Sequence, residues 1–260
     1  MIERAYTYSA DWEIQVWCED EAGPYQTAPY AGYSWQLEQR PLTYPHEYER
    51  KGTAKLLTLF QPASGHVRVK AVTDRTNATL HDWLKTQLTD ILADQPLVMP
   101  LPEAAADNRA FWESWREGLA VKATLNQSLA CLRLLLIMDN LVGHKNPAWL
   151  RWCFSQGILP IYTPLAGSWL TMPASIQRIL KRRALNGTYP KTRADIIDAL
   201  EAVAHHWNSQ PTPFIWAGKR KARRHRAYLK RHPLGASAAT TCRPVSRRDA
   251  KCPAAYQLTH

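Results

Sequence analysis

Two acids in this chain stand where acids can do chemistry. In residues 13–20 the apolar Ile14, Val16 and Cys18 alternate, and Asp20 continues their parity. Glu19 and Glu21 fall on the other face, so the parity favours Asp20 as the carboxylate on the core side. Residues 132–139 are apolar on both parities except Arg133, and they end in Asp139. That is the pattern of a central strand covered on both faces, and the carboxyl ends of such strands are where open α/β sheets place their ligands. Two carboxylates meeting there would hold Mg²⁺, which keeps several waters and needs only one or two carboxylates. A third acid would complete a site for two ions, set about 3.5–4 Å apart, that clamp the attacking and leaving oxygens of phosphoryl transfer. His144, in the loop after Asp139, is a candidate weak ligand or general base, with loop hydrogen bonding as its plainer role.

The elements that must position these residues can be read from periodicity. Residues 30–37, 53–60 and 66–72 are further candidate strands, with a hairpin turn at Gly65. Leu80, Trp83, Leu84, Leu88, Ile91 and Leu92 recur at helical spacing, and Pro96, Pro100 and Pro102 break the chain after them. Past Asp139, strand and helix alternate. A loop over 140–145 leads to a short helix over 147–154 and a short strand over 157–162. Helices are then expected over 171–185, capped by Thr171, and over 192–207. Hairpin strands followed by strand–helix alternation predict an α/β fold: a mixed sheet with helices on both faces.

Composition narrows the class. At 260 residues and 45% hydrophobic content, the chain can bury a full core. Leu134 to Met138 is the longest apolar run, far too short to span a bilayer, and Met-Ile-Glu-Arg-Ala-Tyr is not a signal-peptide start. The five cysteines show no metal spacing. Cys18 and Cys131 are expected as buried free thiols in a reducing cytosol. Charge is concentrated at one end. Residues 217–260 carry 12 of the 33 lysines and arginines but only one acid, Asp249. The remaining 21 basic residues balance 21 acids, so the body is neutral and the tail holds the whole +11. Such a tail attracts polyanions and binds phosphates without reading sequence.

Five segments together resemble the DDE transposases of the mariner superfamily, in the branch found in bacterial insertion sequences. They are Trp17-Cys-Glu-Asp-Glu-Ala-Gly-Pro-Tyr-Gln26, Asp139-Asn-Leu-Val-Gly-His-Lys145, Tyr162-Thr-Pro-Leu-Ala-Gly-Ser-Trp-Leu170, Ser175-Ile-Gln-Arg-Ile-Leu180 and Pro211-Thr-Pro-Phe-Ile-Trp216. The basic Gly218-Lys-Arg220 also matches, so the resemblance runs from about residue 13 to about residue 239. It implies a ribonuclease-H-like fold and a transposase catalytic domain for metal-dependent DNA strand cleavage and transfer. The implied cofactor is Mg²⁺ or Mn²⁺, and Asp20 and Asp139 become the catalytic metal ligands. It further implies DNA as partner, a homodimer on DNA, and a cytoplasmic, nucleoid-associated place in a bacterium.

The chain departs from the family at one decisive position. The third acid, a glutamate, is expected after 34 intervening residues, and that spacing from Asp139 falls on Ala174. No Asp or Glu occurs between Asp139 and Asp195, so no neighbour on that helix replaces it. Cleavage is therefore expected to be impaired. The alternative reading is a non-catalytic DNA-binding or interaction remnant. Nineteen residues precede Asp20, too few for the helix-turn-helix modules the resemblance implies. That shortfall leads to the expectation of a truncated element, with residues 1–12 a lead-in, 13–210 the catalytic domain and 211–260 a basic, flexible tail. Lys181, Arg182, Arg183, Lys219, Arg220, Lys221, Arg223 and Arg224 are the DNA-contact candidates, and Trp169 is a candidate for stacking on a base.

Overall fold

The computed structural model describes residues 1–8, 14–33, 35–41, 43–74, 76–94, 104–165, 167 and 170–216. Met1–Phe214 form one compact unit. Of the second, Ile215–His260, only residues 215–216 are described. The tail candidates Lys219, Arg220, Lys221, Arg223 and Arg224 therefore lie outside the described residues, as does Trp169.

Five strands make one mixed sheet in the order β3-β2-β1-β4-β5. They are β1 (Gln15–Gln26), β2 (Thr53–Phe60), β3 (Val67–Val72), β4 (Leu134–Met138) and β5 (Ile158–Tyr162). β1, β2 and β3 form an antiparallel meander. β4 then runs parallel to β1, and β5 parallel to β4. All five residues of β4 are fully buried, because a central strand is covered on both sides.

The helices are α1 (Ile2–Tyr8), α2 (Asn77–Ala93), α3 (Ala104–Arg116), α4 (Pro147–Ser155), α5 (Pro173–Leu185) and α6 (Arg193–Ser209). On one face of the sheet, Trp17, Leu57, Leu59, Leu134, Leu136 and Met138 share a core with Leu80, Trp83, Leu84 and Leu88 of α2 and with Trp149 and Cys153 of α4. The other face is covered by α5 and α6, which pack on β1 and β2. The mixed α/β sheet with helices on both faces is as expected, and its strand order and directions are those of a ribonuclease-H-like core.

Edge strand β3 is closed by side chains of α6. Val67 N–H donates to Asn208 Oδ1 at 3.0 Å, Asn208 Nδ2 donates to Val67 O at 2.7 Å, and Ala71 N–H donates to Glu201 Oε1 at 2.9 Å. Backbone groups on a sheet edge must find partners or water. These bonds explain why α6 lies where it does.

Four expectations need correction. Residues 30–33 and 35–37 form no strand, because the backbone of Tyr30 pairs with Thr188 O and Gly187 N in the loop after α5 instead of with a strand. β1 does not stop with the 13–20 stretch read as its strand pattern, at Asp20, but continues to Gln26 on its ladder with β2. α5 begins at Pro173, and Met172, not Thr171, is its N-cap, with no side-chain cap bond. Cys131 is only half-buried, although Cys18 and Cys153 are buried, and all three are free thiols. Among the described residues no helix is long and apolar enough to cross a membrane.

Candidate metal and phosphoryl-transfer site

The parallel pairing of β1 and β4 matches Cys18 with Ile137. Two residues further on stand Asp20, within β1, and Asp139, one residue past the end of β4. β4 stops at Met138, while β1 runs on. The edge of β1 past Cys18 is thus left uncovered by β4, and the step opens a small cleft of about 80 Å³. Glu19, Asp20, Glu21, Asp139, Leu141 and His144 line it. Alternation along β1 sends Asp20 towards α5, and Glu19 and Glu21 towards the α2–α4 side.

Asp20 is held by two donors. Its Oδ1 accepts from Glu21 N–H at 2.8 Å, and its Oδ2 accepts from the Thr171 hydroxyl at 3.2 Å. Burial pushes the Asp20 carboxyl up to about 6; the two hydrogen bonds oppose that rise and the neighbouring charges of Asp139 and Glu21 add to it. Thr171 is therefore diverted from capping α5 to orienting Asp20. The turn that carries it is pinned by Tyr6 of α1, whose hydroxyl donates to Leu170 O at 3.1 Å and accepts from Met172 N–H at 3.2 Å. Nothing in the sequence pattern of residues 1–8 pointed to this role.

Asp139 belongs to a loop that folds back on itself. Its Oδ1 accepts from Leu141 N–H at 3.2 Å and lies 3.0 Å from His144 Nδ1. His144 is buried, and its carbonyl accepts from the Tyr162 hydroxyl at 2.6 Å. Burial alone would lower the imidazole's pKa, but the contact with Asp139 and the charge of Glu19 outweigh it and leave the value raised. Glu19 has no exposed surface at all. Burial pushes it up to about 8, with the His144 charge opposing and Glu21, Asp20 and Asp139 adding to the rise. The parity argument passed over Glu19 because it treated one face of β1 as the core, whereas helices cover both.

Ala174 sits in the first turn of α5 and is exposed. One turn further, Gln177 is buried and donates from Nε2 to Thr58 Oγ1 at 3.2 Å; Thr58 is the β2 partner of Asp20. The head of α5 thus faces the Asp20 region, and the side chain at 174 is a methyl group. Asp195 and Glu201 do not substitute for a carboxylate there. Asp195 accepts from Thr192 N–H and Lys191 N–H in the capping box of α6, and Glu201 is bonded to Ala71. Lys181, Arg182 and Arg183 lie about 10–14 Å along the helix from Ala174, at 1.5 Å per residue. Lys181 bonds Asn186 and lies over the Tyr30 ring, Arg183 lies over Trp207, and Arg182 is exposed.

No protein-family model matches this chain. No curated protein matches it either. Among solved structures, it is similar to the catalytic core domain of BIV integrase at 10% identity and a TM-score of 0.40, covering 82% of this chain and 97% of that one. It is also similar to a chain of the pre-cleavage Mos1 transpososome at 12% identity and a TM-score of 0.31. That second match covers 80% of this chain and spans 60% of the other.

Proposed function

We propose that this chain carries the catalytic domain of a DNA transposase, with Asp20 and Asp139 as its metal ligands and with strand cleavage impaired by Ala174. The observation that supports it is positional: a carboxylate on β1 and one just past the end of the parallel β4 line one cleft, with the head of α5 beside them. A carboxylate raised by burial, and further by like-charged neighbours, is a group that a cation would relieve, so Asp20 and Asp139 fit a divalent ion of the Mg²⁺ or Mn²⁺ kind. Such an ion, when bound, supplies Lewis-acid stabilisation of charge on a phosphoryl oxygen. The chain's own residues do the rest. Asp20 and Asp139 hold the ion, Thr171 and Glu21 N–H orient Asp20, and His144 steadies Asp139. Arg182 on α5 and the basic residues after Trp216, including Lys219, Arg220, Lys221, Arg223 and Arg224, would meet the DNA backbone, with Lys181 and Arg183 in reserve on the same helix. A homodimer on DNA and a place beside the bacterial nucleoid belong to the same reading.

The exposed methyl of Ala174 favours a second reading, a DNA-binding remnant that no longer cuts. Nicking of supercoiled plasmid separates the two. With Mg²⁺ or Mn²⁺ the unmodified chain should nick very slowly or not at all. Ala174→Glu should raise the rate, and Asp139→Asn added to it should remove the gain. If Ala174→Glu binds its ion and DNA yet leaves the rate at background, the remnant reading stands. Robust nicking by the unmodified chain that Asp20→Asn abolishes would show that the lost acid is not disabling.

A further inference from the structure

Glu19 is a demanding side chain. It is 0% exposed, and among the described residues neither of its carboxylate oxygens has a hydrogen-bond partner. A buried carboxylate left so is costly unless something compensates it. Beside it stands His144, whose Nε2 lies 3.7 Å from Glu19 Oε2. That distance is too long for an N–H···O bond. It suits two donors on a common ion, since donors about 2.0–2.2 Å from a metal stand roughly 3–4 Å apart. Glu21 brings a third donor, and one ligand atom from each of Glu19, Glu21 and His144 falls within 4.8 Å of the others.

We propose that Glu19, Glu21 and His144 form a second cation site beside the Asp20–Asp139 pair in the same cleft, selective for a transition-metal ion of the Zn²⁺ or Co²⁺ class. The donor set decides the selectivity. Imidazole suits Zn²⁺ and its neighbours, whereas Mg²⁺ prefers oxygen donors and water. Asp139 Oδ1, 3.0 Å from His144 Nδ1, stands where an outer carboxylate fixes the tautomer of a metal-bound histidine and leaves Nε2 to face the ion. An ion at this site would hold His144, and through it Asp139, in place. Its role is to set the position of a residue that the cleavage site also uses. The site is argued from Glu19, Glu21 and His144, with Asp139 behind the histidine, and stands whether or not the chain cuts DNA.

The test uses the metal-free full chain with Co²⁺ as probe, in the presence of excess Mg²⁺, followed by its visible absorption and by the bound metal retained after gel filtration. One Co²⁺ should bind with a spectrum perturbed by nitrogen ligation. Glu19→Gln and His144→Gln should each abolish that spectrum. Asp139→Asn, removing an outer partner only, should weaken binding about 10–100-fold. Asp20→Asn should leave the spectrum unchanged. Because Glu19→Gln alters a buried position, the half-exposed Glu21→Gln is the arm that decides if the first fails to fold, and it too should lose the ion. The proposal is overturned if the unmodified chain binds no Co²⁺ against Mg²⁺, or if folded Glu19→Gln or Glu21→Gln keeps the spectrum. It is equally overturned if Asp20→Asn removes the spectrum, which would assign the ion to the Asp20–Asp139 pair.

Discussion

Asp20, Glu19 and His144 show how one strand end makes three environments from neighbouring side chains. The same burial that raises the two carboxylates would lower the histidine, and contact with Asp139 and Glu19 reverses its direction. His81 gives the clean contrast. Its ring stacks on Trp149 at 5.1 Å between centroids and 8° between planes. Burial, then the nearby His144, lower its pKa from the ordinary value. Between that lowered value and about 6.5, the unfolded chain binds a proton that the folded chain does not, so stability rises with pH through that window. His81→Gln should remove this contribution, so the difference in melting temperature between the two chains should change across pH 5 to 7; a constant difference would contradict the assignment. The placement of Asp20 and Asp139 was legible in the sequence because strand parity and a fully apolar run are local signals. Glu19 was not, since it is buried beside His144 and Asp139, far away in the chain. Nor was Thr171, whose hydroxyl could equally have capped its own helix.

Among the elements, α6 secures the edge of the sheet, because Asn208 and Glu201 satisfy open backbone groups of β3. Its start is fixed by a capping box, with Thr192 accepting from Asp195 N–H at 3.2 Å. Thr192→Ala should cost about 1 kcal/mol, within a range of roughly 0.5–2, seen as a lower denaturant midpoint at constant slope. A neutral result would mean that the cap adds nothing beyond packing. The periodic elements were legible, and β2 falls on the expected residues 53–60. The failures have physical causes. Residues 30–37 have a strand-like composition, but the backbone partners of Tyr30 lie in the loop after α5. α1 and α3 were passed over because α1 is short and α3 follows a proline-rich stretch. Yet Trp112 and Trp115 of α3 are fully buried.

For the whole molecule, charge and site are carried by different parts of the chain. The body before residue 217 is neutral, and the +11 falls after it. Duplex DNA should therefore bind weakly, without sequence preference and with a steep salt dependence, because each neutralised phosphate contributes about −0.9 to the slope of log K against log salt. A chain ending at Trp216 should lose most of that affinity and most of that slope. Equal values for the two chains would rule out the tail as the main contact. The central claim is narrower: Asp20 and Asp139 together hold a divalent ion. Crystals soaked in Mn²⁺ and measured at an anomalous wavelength test it most directly. The account predicts a peak in the cleft within bonding distance, about 2.0–2.3 Å, of a carboxylate oxygen from each of Asp20 and Asp139. A fully loaded crystal with no peak between those two carboxylates, or with the carboxylates more than about 10 Å apart, far beyond the spacing of a two-ion site, would contradict it.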